Sequence, residues 1–344
     1  MLKKIIAGLT LLSLAACGNG AASGGGGADA AAKKTIRIAY QAFPSGDLIV
    51  KNQGLLEKAL PDYEITWTKF DSGASINTAF VAKSIDIAAI GSSPVARGLS
   101  APLNIPYQVA FVLDVAGDNE ALVARNGSGI TDVAGLKGKK VATSFASTSH
   151  YSLLAALAKA GVPESSVNLL DLQPPDIQSA WQRGDIDAAY VWLPVLAEVQ
   201  KTGTTLVTSR ELAAGGKATL DLGVASEQLI KEHPEVIKAW REAEGKALLQ
   251  IKNEPDAAAA AVGRQLGIGP DDAATQLKAG IFLTPEEQSS ETWLGKEGAV
   301  GGLATNLFDA ATFLKNQKKV DTAPPLEDFE KAIAVEGIAD VSGS

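Results

Sequence analysis

Between residues 34 and 192, short runs rich in β-branched and aromatic residues alternate with stretches of helical periodicity, and few folds accept that pattern. "KTIRIAY" (34–40), "EITWTKF" (64–70), "IDIAAIG" (85–91), "YQVAFVL" (107–113), "KKVATSF" (139–145), "VNLLDL" (167–172) and "IDAAYVW" (186–192) read as strands. "SGASINTAFVAKS" (72–84) reads as a helix, and further helices are expected over 149–160, 174–183, 227–252, 255–266 and 302–317. Strands alternating with helices give an α/β fold with largely parallel sheets. Within the alternation, "AKSIDIAAIGSSPV" (82–95) and "QRGDIDAAYVWLPV" (182–195) share one pattern: helix end, small residue, Ile-Asp, apolar strand, turn, Pro-Val. That repeat points to two similarly built lobes rather than one large sheet. The "RGD" at 183–185 falls inside it, and Arg183-Gly184 reads as a helix C-terminal turn before a strand rather than an adhesion motif.

The first residues, "MLKKIIAGLTLLSLAACGNG", place Lys3 and Lys4 before an apolar stretch, Ile5 to Leu14, too short to span a bilayer. Small residues and Cys17 follow. This is an export signal rather than a structural helix. Leu14-Ala15-Ala16-Cys17 is similar to the lipobox of bacterial lipoproteins, which implies cleavage before Cys17 and a diacylglycerol on its sulfur. Residues 1–16 are then a signal peptide. The Gly/Ala/Ser-rich residues 17–34 are expected to act as a flexible tether. Each buried acyl methylene adds roughly 0.8 kcal/mol, so more than one chain anchors stably. The expected location is the outer face of the cytoplasmic membrane or the periplasm.

Cys17 is the only cysteine, so an internal disulfide is impossible and the core alone must hold the fold. With 20% charged and 46% hydrophobic residues the chain is globular, and about 310 residues beyond the tether suffice for two domains. A net charge of −8 with no long basic run excludes nucleic acid as partner. The chain is expected to be a monomer with no cofactor and no metal.

Several stretches resemble periplasmic solute-binding proteins of the nitrate/sulfonate/taurine type: "DVAGLKGKKVAT" (132–143), "RGDIDAAYVW" (183–192) and "HPEVIKAW" (233–240). Others are similar to the taurine-binding members of that family. They are "KFDSGASI" (69–76), "GSSP" (91–94), "NEALV" (119–123), "STSHYSLLAAL" (147–157), "LQPPDI" (172–177), "TLD" (219–221) and "FLTPEEQ" (282–288). The resemblance runs from about residue 35 to 320, and its order and spacing carry more weight than any one stretch. It implies the type II periplasmic-binding-protein fold: two α/β lobes joined by a two-segment hinge, with ligand held in the cleft between them. The crossings would fall near 115–121 and 220–226. Lobe 1 would comprise 35–117 plus 224–344, and lobe 2 would comprise 118–223. The implied function is capture of taurine for an ABC importer and its permease. Other aliphatic sulfonates or small anions are the alternative ligands.

In α/β sheets, ligands collect at the carboxyl ends of strands, where helices begin. Hydroxyls crowd such positions at Ser72 and Ser75, at Ser92-Ser93 before Pro94, and at Ser147-Thr148-Ser149. Ser93 reads as a helix N-cap with Pro94 in the first turn. Free amides at a helix start favour an anion by roughly 0.3–1 kcal/mol each when exposed. These serines could equally serve only as caps. The resemblance favours ligand contact for Ser92, Ser93, Ser147, Thr148 and Ser149. Taurine's ammonium would need acid, and Glu120 in "DNEALV" and Asp221 in "TLDLGV" lie in apolar strand-like runs, where an unpaired carboxylate is costly. Asp221 is the stronger partner, although either could pair with a hinge lysine. Asp86 and Asp187 read as strand-entry turns. Trp192 ends a strand facing the cleft, with Tyr40 and Gln41 at the matching place in the other lobe. Trp67, Trp181, Trp240 and Trp293 read as core or helix-face residues.

The remaining question is catalysis. Ser149 beside His150 suggests a nucleophile and base, but adjacent residues at a helix start point apart, and no G-x-S-x-G elbow is present. His150 and His233 are the only histidines, a poor basis for metal chemistry, and His233-Pro234 reads as a loop before a helix. His150 is better placed as a donor to an anion. Thiamine-pyrimidine synthases resemble these receptors but carry a cysteine-rich motif that is absent here. The expectation is a receptor, not an enzyme.

Overall fold

The computed structural model describes residues 33–337; Cys17, the expected leader and nearly all of the tether lie outside the described residues. Ten strands form two five-stranded sheets. They are β1 (Lys34–Gln41), β2 (Tyr63–Phe70), β3 (Ile87–Gly91), β4 (Tyr107–Val115), β5 (Glu120–Arg125), β6 (Lys140–Thr143), β7 (Asn168–Asp171), β8 (Ala188–Trp192), β9 (Gly203–Thr208) and β10 (Leu220–Ser226). The first sheet has the order β2-β1-β3-β10-β4 and the second the order β7-β6-β8-β5-β9. Each contains parallel strands interrupted by one antiparallel strand that arrives from the other lobe: β10 in the first, β5 in the second. The two sheets thus share one topology, and the Ile-Asp repeat marks equivalent places in both. Asp86 accepts the Arg37 amide at 2.9 Å, and Asp187 accepts the Lys140 amide at 2.9 Å. Each aspartate ties the first turn of its own strand to the start of the neighbouring one.

Strands buried on both faces read as continuous apolar runs, because helices cover each side. In the second sheet Leu122, Ala124, Ala188 and Tyr190 pack into one cluster, and Ala121, Val123, Ala189 and Val191 into another on the opposite face. The first sheet is covered likewise, with Ile90 and Val224 on one side and Ile38 and Ala225 on the other. Trp240 and Trp181 are core residues, as expected. Gly223 lets the Trp240 ring lie flat on β10, since a Cβ there would stand 2.5 Å from the indole.

The chain passes between lobes at 116–119, between β4 and β5, and again at 214–219, just before β10. β10 therefore belongs wholly to the first sheet, and the second passage precedes the expected 220–226. An Arg210–Asp118 ion pair at 2.9 Å lies beside the first passage. The single helix expected over 227–252 is two, Glu227–Glu232 and Pro234–Asn253, because Pro234 has no N–H to continue the first and instead opens the second. Arg183-Gly184 ends the helix Pro174–Arg183 as expected, with Gly184 left-handed at φ 80. No described helix is long and apolar enough to cross a membrane.

Candidate functional site

A cavity of about 310 Å³, counting its open mouth, lies between the lobes, lined by Gln41, Phe43, Gly73, Gly91, Pro94, Glu120, Ser147, Thr148, Trp192 and Asp221. The lining follows from chain direction. Gln41, Gly91 and Trp192 end β1, β3 and β8, while Glu120 begins antiparallel β5 and Asp221 lies near the start of antiparallel β10. The strand ends that carry helix starts and the crossing strands' first residues thus meet at one place. Three helices begin at the wall: Gly73–Val81, Ser92–Leu99 and Thr148–Lys159.

One side of the cavity is acidic. Glu120 accepts hydrogen bonds from the hydroxyls of Thr148 (2.5 Å), Ser209 (2.8 Å) and Ser152 (3.2 Å), so its buried carboxyl has partners from two helices, Thr148–Lys159 and Ser209–Ala213. Burial pushes Glu120 up, and those hydroxyls pull it back. Asp221 stands opposite Asp114 in the β10–β4 register. Burial, then the charges of Asp114 and Glu120, hold Asp221 well above the usual carboxylate range. Asp114, fully buried behind it, takes a hydrogen bond from Asn119 at 3.0 Å, and burial pushes it up to about 7. Among the described residues, no Lys, Arg or His lines this cavity. Three carboxyls without a cation make a site that lacks positive charge until a ligand supplies it.

The other side is built from backbone and small residues. Gly73 abuts Pro94, where a Cβ would come within 2.5 Å, so only glycine lets the two helix starts approach so closely. Ser147 caps the helix Thr148–Lys159, accepting the His150 amide at 3.2 Å and donating to the Ser144 carbonyl at 2.6 Å. Trp192 pairs with Glu120 across β8 and β5, and its ring packs on a cluster of Phe43, Phe111 and Leu113 from the first lobe.

Of the sequence-derived candidates, the fold brings Gln41, Glu120, Ser147, Thr148, Trp192 and Asp221 to this cavity and leaves four off its wall. Ser92 is buried, and its hydroxyl accepts the Leu220 amide at 3.1 Å, tying the helix start to β10. Ser93 is not the N-cap, a position held by Gly91; it sits a residue inside the helix with its hydroxyl unpartnered. Ser149 is fully buried beside Glu120, whose carboxyl its hydroxyl helps hold down. His150 faces a neighbouring cavity with Ser93, its ring stacked on Phe145 at 4.5 Å. No serine hydroxyl is hydrogen-bonded to an imidazole nitrogen among the described residues, so the Ser149-His150 pair is not assembled for nucleophilic attack. Tyr40 turns away onto Trp67, as alternation along β1 requires once Gln41 faces the cavity. Asp114, Phe43, Gly73, Gly91 and Pro94 are the lining or supporting residues that the sequence reading missed. Only Asp114, an acid in the apolar run "YQVAFVLDV", carried a signal.

Two five-stranded α/β sheets with a cleft at their facing ends make the two-lobed type II periplasmic-binding-protein fold. A family profile described as NMT1/THI5 like matches residues 107–258. The chain is 37% identical to the taurine-binding periplasmic protein of Escherichia coli (strain K12) over 262 residues, 74% of this chain and 78% of that one. The alkanesulfonate-binding protein of Xanthomonas axonopodis pv. citri, solved bound to MOPS, superposes with a TM-score of 0.72 at 20% identity, covering 88% of this chain and 99% of that chain. The fold also includes an enzyme: a desulfurization enzyme superposes with a TM-score of 0.65 at 16% identity, covering 90% of this chain and 99% of that chain. The chain belongs to the family of substrate-binding proteins that contains the taurine- and sulfonate-binding receptors of ABC importers.

Proposed function

We propose that this protein captures taurine in the interlobe cavity and delivers it to the permease of an ABC importer. The observation that carries the reading is the pairing of an acidic wall, Asp221 with Asp114 and Glu120, against a wall of helix N-termini, with no cationic side chain between them. A zwitterion with an ammonium at one end and a sulfonate at the other matches both walls. Asp221 takes the ammonium with Glu120 behind it. Free amides at the starts of the helices that begin at Gly73, Ser92 and Thr148 take the sulfonate, and Trp192 with Phe43 covers the two-carbon spacer. A micromolar affinity corresponds to about −8 kcal/mol, within reach of a few charge-assisted hydrogen bonds and one aromatic contact. Closure follows because the ligand bridges both lobes and favours the form in which they meet.

In this reading the ligand is bound and released unchanged, the role that the names of the taurine- and sulfonate-binding relatives describe. A thermal-shift panel of taurine, ethanesulfonate, isethionate, sulfate, nitrate and β-alanine tests the ligand. Taurine is expected to raise the melting point most. Silence toward every sulfonate would overturn the assignment.

The carboxyl cluster makes ligand binding depend on pH. Between the unfolded value near 3.8 and the folded value of about 7 for Asp114, the native state holds more protons than the unfolded chain. Stability of the free protein contributed by this group therefore falls as pH rises through that window, and Asp221 acts in the same direction. An ammonium favours the ionised carboxylates, so taurine binding should release protons. The taurine-induced rise in melting point is expected to grow from pH 5 to pH 8, and the binding heat should vary with the buffer's ionisation enthalpy. A taurine response that shrinks over the same range would contradict an ammonium on these acids.

A lipid on Cys17 would tie the receptor to the membrane beside its permease, consistent with the lipobox-like Leu14-Ala15-Ala16-Cys17. Cys17→Ser is expected to move the protein from the membrane to the soluble fraction and to abolish labelling by a radioactive fatty acid. Equal labelling of the variant would exclude the anchor.

A further inference from the structure

A second interlobe cavity adjoins the first, lined by Ala74, Ser93, Arg97 and Lys319 from one lobe and by Phe145, His150 and Asp171 from the other. It encloses about 710 Å³ counting its open mouth. Two polar groups in its wall are deeply buried and have no partner: the Ser93 hydroxyl, 1% exposed, and Nε2 of His150, 3% exposed. Buried polar groups are nearly always hydrogen-bonded, so two orphans in one cavity point to a missing occupant.

Their chemistry names its class. Nδ1 of His150 accepts the Ala146 amide at 3.1 Å, which places the ring proton of the neutral imidazole on Nε2. Burial, and then the charges of Lys319 and Arg97, push this imidazole down to about 4, so it stays neutral while lying in a positive field. Arg97 is half-buried, and its guanidinium makes no hydrogen bond or ion pair with a described residue. Lys319 reaches Glu164 of the other lobe at 2.7 Å. Asp171 spends one carboxylate oxygen on the Phe145 amide at 2.8 Å. The groups left free are therefore a hydroxyl, an imidazole N–H and a guanidinium, with an ammonium alongside and the second carboxylate oxygen of the exposed Asp171 at the rim. The donors outnumber that one acceptor, and they come from both lobes.

We propose that this cavity is a second binding site, distinct from the taurine cavity, which takes a small inorganic oxyanion between Ser93, Arg97, His150 and Lys319. An anion held there bridges the lobes beside the main cleft, parallel to the Lys319–Glu164 pair, and so favours the closed form.

The chain's two histidines make the test direct, because only His150 and His233 give imidazole signals. Sodium sulfate is titrated into the full protein at constant ionic strength, with sodium chloride making up the balance, and the ring signals are followed by nuclear magnetic resonance. His233→Gln identifies which signal is which. The His150 signal is expected to shift saturably while that of His233 stays fixed. Arg97→Gln should raise the half-saturation concentration about tenfold or more, the loss of one charge-assisted hydrogen bond. Ser93→Ala should raise it by less. Three results would overturn the site: a still His150 signal, a linear shift shared by both histidines, or a saturable shift unchanged by Arg97→Gln, which would place the sulfate in the main cavity instead.

Discussion

Asp221→Asn is expected to weaken taurine binding about 10²–10³-fold while leaving ethanesulfonate binding unchanged or tighter. Asparagine keeps the shape of the side chain on β10, removes its charge and exchanges one accepting oxygen for a donor. Truncating one partner of a buried charge pair costs ~2–5 kcal/mol, most of it the penalty of leaving the other charge unpaired. Here the unpaired charge would be the ligand's ammonium. Ethanesulfonate has no ammonium and meets the wild-type cavity as an anion facing the carboxyls of Asp221 and Glu120, with Asp114 behind them, so losing one of them helps it if it acts at all. The selectivity ratio is the informative quantity, because a mere folding defect would lower both affinities together. Titration calorimetry of both ligands on wild type and variant gives it. Parallel losses would remove Asp221 from the role of ammonium partner and leave Glu120 as the remaining candidate at the wall.

What the sequence disclosed, and what it hid, follows from the range of the interactions involved. The two-sheet plan was readable because its markers are local. Asp86 and Asp187 each bond to the first amide of a neighbouring strand, so the Ile-Asp pattern recurs wherever that joint recurs. The C-cap at Gly184 and the cap at Ser147 are local for the same reason. The crossing strands β5 and β10 were visible only as apolar runs, since their sheet membership depends on pairing with residues far away in sequence. That is why the second passage falls ahead of the expected place.

The cavity divides similarly. Charged residues in apolar runs, Glu120 and Asp221, announced themselves, because burying a carboxylate needs a reason. Asp114 escaped because it lies just past the apparent end of its strand. Helical spacing shows that His150 and Thr148 leave the helix in different directions, but not that two cavities wait there, Thr148 facing one and His150 the other. Gly73, Gly91 and Pro94 stood inside the stretches "KFDSGASI" and "GSSP" without any sign that they line a cavity, although a Cβ at Gly91 would stand against Thr148 of the other lobe.

Gly91→Ala should leave the fold intact and weaken ligand binding about tenfold to a hundredfold. Gly91 has φ −65, a value any residue adopts, so alanine brings no backbone strain. Its Cβ would instead stand 2.6 Å from the Thr148 methyl of the opposite lobe, closer than carbon atoms can approach. The methyl cannot swing aside freely, because the Thr148 hydroxyl is held by Glu120 at 2.5 Å. Overpacking costs of ~1–3 kcal/mol are then paid only by the closed form, and they appear as lost affinity rather than lost stability. The melting point of the free protein should fall less than that of the ligand-bound protein. Thr148→Ser in the Gly91→Ala background removes the offending methyl and keeps the hydroxyl for Glu120, so it should restore most of the affinity. Recovery in the double variant would show that the two lobes meet at this contact when ligand is bound. A double variant as weak as Gly91→Ala alone would mean that the glycine serves the helix start within its own lobe, and that closure is limited elsewhere.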